Sequence, residues 1–251
     1  MAAVQDIKDL QSLVPSLRVS QLQNSTNTNF VIRGFGNGAN NPGIEPSVGV
    51  FIDGVYRSRS ASSISDLPNL ERVEVLRGPQ STLFGKNASA GVISVVTRKP
   101  SGESAGKVSA SIGNYGAVVL KGQAEGSLSE NVAFDVSGSH NQSDGYFDNL
   151  HTGESINNRN RQAVRGQLVI TPSDTTEIRL IADYDTIDEE CCGVVNLLEG
   201  DLGAFAIPFS GGQVVANDPT ALEGYHDIDP TNQIDNAGIS MTVGVDYDNF
   251  T

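Results

Sequence analysis

The chain of 251 residues has no tryptophan and only two cysteines, and 6% of its residues are aromatic. No apolar run approaches the roughly 18–20 residues of a membrane helix, which excludes a helical span but not one built from strands. The opening Met1-Ala2-Ala3-Val4-Gln5-Asp6 has neither a basic n-region nor an apolar h-region, so it is not a signal peptide. For an exported protein the expectation is that the true N-terminus lies upstream or that the sequence starts within the mature protein. Cys191 and Cys192 are adjacent. Neighbouring Cα atoms lie about 3.8 Å apart, below the usual disulfide range, so a mutual bridge would be strained. The pair reads either as oxidised, to each other or to cysteines elsewhere, or as two thiols in a loop. Its spacing is not that of a zinc site. No lysine or arginine follows Arg179. Residues 1–143 carry 11 acidic and 12 basic side chains, and residues 144–251 carry 19 acidic and 4 basic. The net charge of −14 thus belongs to the second part. This disfavours nucleic acid as a partner, because phosphate backbones need basic patches. His140, His151 and His226 are dispersed, and no nucleophile–base arrangement is readable. No catalytic residue, metal ligand or cofactor is expected, and the chain does not read as an enzyme.

What is present is glycine, short apolar segments and turns, a β-rich composition with room for one or two domains. Residues 1–100 read as a mixed α+β unit. Val4, Ile7, Leu10 and Leu13/Val14 have a helical period, ended by Pro15. Residues 17–22 and 29–33 read as short strands, and 34–49 as a loop rich in Gly, Asn and Pro. Asp53-Gly54 between two apolar runs predicts a hairpin. Residues 65–70 are expected to hold a helical turn, and 73–77 and 92–97 strands. Residues 101–106, Ser-Gly-Glu-Ser-Ala-Gly, read as a linker.

Beyond the linker, six segments alternate apolar and polar residues: 107–112, 118–125, 132–137, 164–171, 178–185 and 239–246. A soluble sandwich gives the same alternation, so the connections decide. Residues 127–131 and 172–176 are tight turns, whereas 144–160 and roughly 187–236 are long. Short turns at one end and long loops at the other are the habit of outer-membrane barrels.

The most informative stretch is Leu70-Glu71-Arg72-Val73-Glu74-Val75-Leu76-Arg77-Gly78-Pro79, continuing to Gly85. Alternation predicts a strand with Val73 and Val75 on one face and Glu74 and Leu76 on the other. Gly78-Pro79 stops it. Together with Ile32-Arg33-Gly34, Val50-Phe51-Ile52-Asp53-Gly54-Val55 and Gly91-Val92-Ile93-Ser94-Val95-Val96-Thr97-Arg98, it resembles the plug domain of TonB-dependent outer-membrane receptors, in order and spacing. The family often has two glycines where this chain has Ala90-Gly91.

The resemblance implies a plug (1–100), a linker (101–106) and the first strands of a β-barrel (107–251). Six strands cannot close a barrel, and transporters of this class have about 22. The expectation is therefore a chain carrying the plug and roughly the first quarter of the wall. The implied function is energy-coupled uptake across the bacterial outer membrane, through the TonB–ExbB–ExbD complex, of a scarce ligand such as a ferric siderophore. Receptors for cobalamin or a glycan, a non-transporting surface binding protein and a porin are the alternatives. The resemblance also implies that Glu71, Arg72, Glu74 and Arg77 meet the inner wall, with Gly78, Pro79 and Gly85 shaping the plug turn. Asn37, Asn40, Asn41, Arg57 and Arg59 are candidates for loops facing the ligand. A phosphate-cradling role for the glycines between Arg33 and Gly43 is disfavoured, because no Lys-Ser/Thr follows. The carboxylates from Asp188 to Asp235 lie in the longest loop without EF-hand spacing. They would repel an anionic ligand unless other loops compensate.

Overall fold

The computed structural model describes residues 7–21, 27–36, 44–59, 66, 69–193, 220–226 and 229–247. The chain begins with a 3-10 helix at Ile7–Ser12 and continues with β1 (Leu17–Gln21), β2 (Thr28–Ile32), β3 (Val48–Ile52), β4 (Val55–Tyr56), β5 (Leu70–Arg77), a single α-helical turn α1 (Ser81–Phe84) and β6 (Gly91–Thr97). There follow β7 (Ala105–Ile112), β8 (Val118–Ser129), β9 (Val132–Ser143), β10 (Phe147–Asn149), β11 (Ser155–Ile156), β12 (Arg159–Ser173), β13 (Thr176–Glu190), β14 (Glu223–Gly224) and β15 (Thr231–Val245). No helix among the described residues is long and apolar enough to cross a membrane.

The mixed α+β expectation overstates the helix. The apolar period that begins at Val4 yields six described helical residues of 3-10 type. So short a segment cannot pay the nucleation penalty of an α-helix, and 3-10 turns are common as connectors. The expected helical turn at 65–70 lies largely outside the described residues, apart from Asp66, Asn69 and the start of β5. β7 begins at Ala105, within the stretch read as a linker.

Four strands of the N-terminal unit form a sheet in the order β4-β3-β6-β5, with β3 parallel to β6. β3 is buried at every position, as a central strand of continuous apolar residues requires. Asp53 and Gly54 both take positive φ, 49° and 81°, which suits the tight turn between β3 and β4. One face of the sheet packs Val50, Ile52, Ile93 and Val95 against Ile7, Leu10, Leu17, Phe30 and Ile32. Each such fully buried side chain contributes about 1.5–3 kcal/mol. The predicted facing of β5 holds: Val73 and Val75 join this core, while Leu76 packs with Phe51, Val92 and Phe84 on the other side.

The second sheet has the order β15-β13-β12-β9-β8-β7, antiparallel throughout. β12, β13 and β15 each run 15 residues, about 50 Å at the usual rise. That exceeds the 9–11 residues needed to cross a bilayer. Residues 130–131 and 174–175 connect strands at one end of the sheet. At the other end lie the 113–117 connection and the two long ones, which carry the small sheet β11-β10-β14.

The register sorts this sheet into two faces. Val136, Val164, Tyr184, Ile239 and Met241 project to one side and are exposed. Asp135, Ser137, Asn141, Arg161, Arg165 and Gln167 project to the other and are at most 3% exposed. The sheet therefore buries its polar face against the N-terminal unit and presents its apolar face outward, the reverse of a water-soluble sandwich.

Candidate functional site: a buried charge network between the two sheets

The site is built where the β3–β4 hairpin and the end of β6 meet the polar face of β9, β12 and β13. The Asp53 carboxylate accepts hydrogen bonds from the backbone N–H and the hydroxyl of Thr97, both at 2.9 Å. It also accepts from Arg165 of β12 and lies 3.3 Å from Nη2 of Arg179 on β13. Its side chain is 1% exposed, and four partners occupy its oxygens. A buried carboxylate without such partners would be strongly penalised.

Charges alternate outward from this pair. Arg165 lies 3.4 Å from Asp183 of β13, which accepts Arg57 of the hairpin at 2.5 and 3.0 Å. Arg179 donates to Gln167 at 2.6 Å and to the Thr97 hydroxyl at 3.1 Å. Gln167 in turn donates to the Arg98 carbonyl at 3.0 Å and to Asp135 at 3.3 Å, and Asn69 completes Asp135 at 3.0 Å. Three arginines and three aspartates give the network no net charge.

A second tie lies toward the long-loop end. Asn141 donates to Asp66 at 2.7 Å, and Arg161 sits 3.7 Å from the same carboxylate. Arg161 also grips Glu189 in two-point fashion at 2.5 and 3.0 Å. At the short-turn end, Lys99 meets Glu177 at 2.5 Å on the surface. The N-terminal unit is thus pinned to the large sheet at three levels, by Lys99, Asp53 and Asp66.

The charges of β5 are placed differently. Arg72 bridges Glu71 at 2.7 Å and Glu74 at 2.9 Å along its own strand, with all three about half exposed. Arg77 is also exposed. β5 is the edge strand of its sheet, so its outer side chains look away from the core. Glu71 lines a cavity of about 430 Å³ together with Lys107 and Lys121 of the larger sheet. Gly78 (φ 99°) and Gly85 (φ 75°) flank α1, with Pro79 exposed between them. Arg57 is turned into the network, where Asp183 sits within reach. Arg59 is exposed, and Asn37, Asn40 and Asn41 lie outside the described residues. Cys191 and Cys192 are joined as a disulfide at the end of β13.

Asp53, Asp135, Arg165, Arg179 and Asp183 were not singled out from the sequence. A signal existed: residues 144–251 contain only four basic residues, and Arg161, Arg165 and Arg179 all fall on the polar side of alternating strands. Cations that are scarce in an acidic segment and face inward require acidic partners.

Comparison with known proteins agrees with this geometry. The family model described as "TonB-dependent Receptor Plug Domain" matches residues 1–92. The ferrioxamine B receptor of Salmonella typhimurium is 26% identical over 238 residues, 92% of this chain and 31% of its own. The pesticin receptor of Yersinia pestis is 27% identical over 125 residues, 50% of this chain and 18% of its own. The crystal structure of the ferric yersiniabactin uptake receptor from Yersinia pestis superposes with a TM-score of 0.69 at 24% identity, covering 75% of this chain and 30% of that one. The chain therefore spans less than a third of each of these proteins. Residues 1–92 match the plug domain of TonB-dependent receptors, and the chain, with the strand-rich region that follows, is similar to TonB-dependent receptors of the bacterial outer membrane.

Proposed function

We propose that this chain is the plug and the first wall strands of an importer that takes up a ferric siderophore across the outer membrane. The observation that carries this reading is the inverted sheet, apolar outside and polar toward a plug that fills the space behind it. Only a wall standing in lipid gains from that arrangement. Its edges, β7 and β15, would be unsatisfied in a bilayer, so further strands of the same protein are proposed to close the barrel.

In this reading residues 1–100 occlude the lumen, 101–106 tether the plug and 107–251 supply wall and loops. The network around Asp53 and Arg165 holds the plug by charge-assisted hydrogen bonds. Such contacts suit a plug that must be held yet displaced, because water can replace each partner once the interface opens. Energy for displacement comes from the TonB–ExbB–ExbD complex. Glu71, Arg72, Glu74 and Arg77 face further wall positions, with Lys107 and Lys121 the first candidates for Glu71. Asn37, Asn40, Asn41 and Arg59 remain candidates on the ligand side, and Arg57 is assigned to the wall contact. The relatives named above, receptors for ferrioxamine B and ferric yersiniabactin, support an iron-chelate ligand.

The test is uptake of radioactive iron chelates by a strain expressing the full-length receptor as its single outer-membrane iron importer, with and without TonB. Uptake that requires both receptor and TonB supports the reading. Uptake that persists without TonB removes the energy-coupled mechanism.

A further inference from the structure

The cations on the inner face of the large sheet are not all matched. On β12 and β13, Arg165 and Arg179 share Asp53, and Arg161 holds Glu189. On β7 and β8, Lys107 is registered with Gln123 and Ser109 with Lys121. Gln123 and Lys121 in turn pair with Ser137 and Ser139 of β9, so all four belong to the polar face. Together with Arg98, just past the end of β6, they line a cavity of about 430 Å³ between plug and wall, within the usual range for small-molecule sites. We infer that this cavity binds a doubly charged tetrahedral oxyanion, either free phosphate or the phosphoryl group of a small metabolite. The inference does not depend on what the receptor imports.

The charges lead to this. Three cations in the lining, Arg98, Lys107 and Lys121, meet one carboxylate, Glu71. Glu71 is engaged by Arg72 at 2.7 Å on its own strand. Turned toward either lysine instead, it would still leave two cations uncompensated. The inward carboxylates of β8 and β9 are committed elsewhere. Glu125 accepts the Ser101 N–H at 3.1 Å, and Asp135 accepts from Asn69 and Gln167 at 3.0 and 3.3 Å. Among the described residues no carboxylate pairs with Arg98, Lys107 or Lys121. Two surplus positive charges between protein walls focus their field into the cavity, and a dianion is the complement.

The donor chemistry fits the same ligand. Arg98 brings a planar guanidinium fork and the lysines bring compact charges, both suited to phosphate oxygens. Ser109 and Gln123 add a hydroxyl and an amide, which are neutral donors. The backbone of Arg98 is fixed at both ends. Its N–H donates to the Asn69 carbonyl at 3.0 Å, and its own carbonyl accepts Gln167 at 3.0 Å. One strand further in, the hydroxyls of Ser137 and Ser139 are buried without a partner among the described residues. The inner face of β7, β8 and β9 thus carries more donors than acceptors to receive them.

Calorimetric titration of the full-length receptor in detergent, in phosphate-free buffer of low ionic strength, tests this. The probes are inorganic phosphate and glucose 6-phosphate. At least one should bind at a single saturable site, and binding should weaken as salt is added. Lys107→Gln and Lys121→Gln should each weaken it at least about tenfold, because each removes a charged hydrogen bond to the anion. Lys121→Arg keeps the charge and should retain binding, which separates loss of the site from loss of the fold. Lys86→Gln, outside the lining, should leave binding unaltered. Tighter binding of glucose 6-phosphate supports the site with a phosphorylated metabolite as its ligand; tighter binding of phosphate supports it with the free ion. Binding of neither probe overturns the inference, since carboxylates elsewhere in the full-length receptor would then match these cations. Binding that is unchanged in both Gln variants overturns it as well.

Discussion

Arg165 on β12 donates to Asp53 at the tip of the plug hairpin, 112 residues away in sequence, with side chains 3% and 1% exposed. The contact joins two units of the chain through opposite charges that neither could bury alone.

Removing one member should therefore be severe. Asp53→Ala leaves Arg165 and Arg179 facing one another without their shared carboxylate. A loss of about 3–5 kcal/mol is expected in chemical unfolding of the purified receptor. Arg165→Met should destabilise by a similar amount. The double variant should lose clearly less than the sum, because neither charge is then orphaned. Simple additivity would show that the pair is not coupled.

The β5 charges should behave oppositely. Arg72 bridges Glu71 and Glu74 on an exposed edge. Arg72→Ala should leave stability nearly unchanged, and any effect should shrink at high salt. A loss comparable to that of Asp53→Ala would give this strand a structural weight its exposure denies.

Gly91 begins β6 where the backbone leaves no room. A Cβ there would fall 2.6 Å from the Leu76 carbonyl oxygen and 2.6 Å from Cδ1 of Ile32. Gly91→Ala should destabilise by about 1–3 kcal/mol through overpacking, measured by the same unfolding assay. Ala90, one residue earlier, already carries a Cβ within the core.

A surface pair supplies a pH signature. Lys86 donates to Glu45 at 2.8 Å and holds that carboxyl below the usual carboxylate range. A depressed folded value means that the stabilisation is present above the unfolded-chain value and lost as pH falls through the folded one. Lys86→Met should raise the Glu45 midpoint in an NMR titration. An unmoved midpoint would contradict the pairing.

Much of this was legible in the sequence for physical reasons. Period-2 alternation in 107–112, 118–125, 132–137, 164–171, 178–185 and 239–246 located the six strands of the large sheet, because only a two-faced sheet needs it. Asp53-Gly54 marked its hairpin because both positions require positive φ. The helix expected from Val4 to Val14 failed because period alone does not outweigh a short length before Pro15. The charge network was illegible by motif, since Asp53 and Arg165 are joined by register and stacking, which no local spacing encodes. The contact of Arg57 was illegible for the same reason: its partner, Asp183, lies on a strand 126 residues later.

The claim that the large sheet is a membrane wall is most directly tested on β15. Spin labels would be placed singly at residues 238–243 of the full-length receptor in lipid bilayers, and their collisions with oxygen and with a water-soluble nickel chelate compared. Ile239, Met241 and Val243 are predicted to be oxygen-accessible and nickel-shielded, with Gly238, Ser240 and Thr242 showing the opposite phase. Nickel access at Ile239, Met241 and Val243, or the absence of a two-residue period, would contradict the wall assignment.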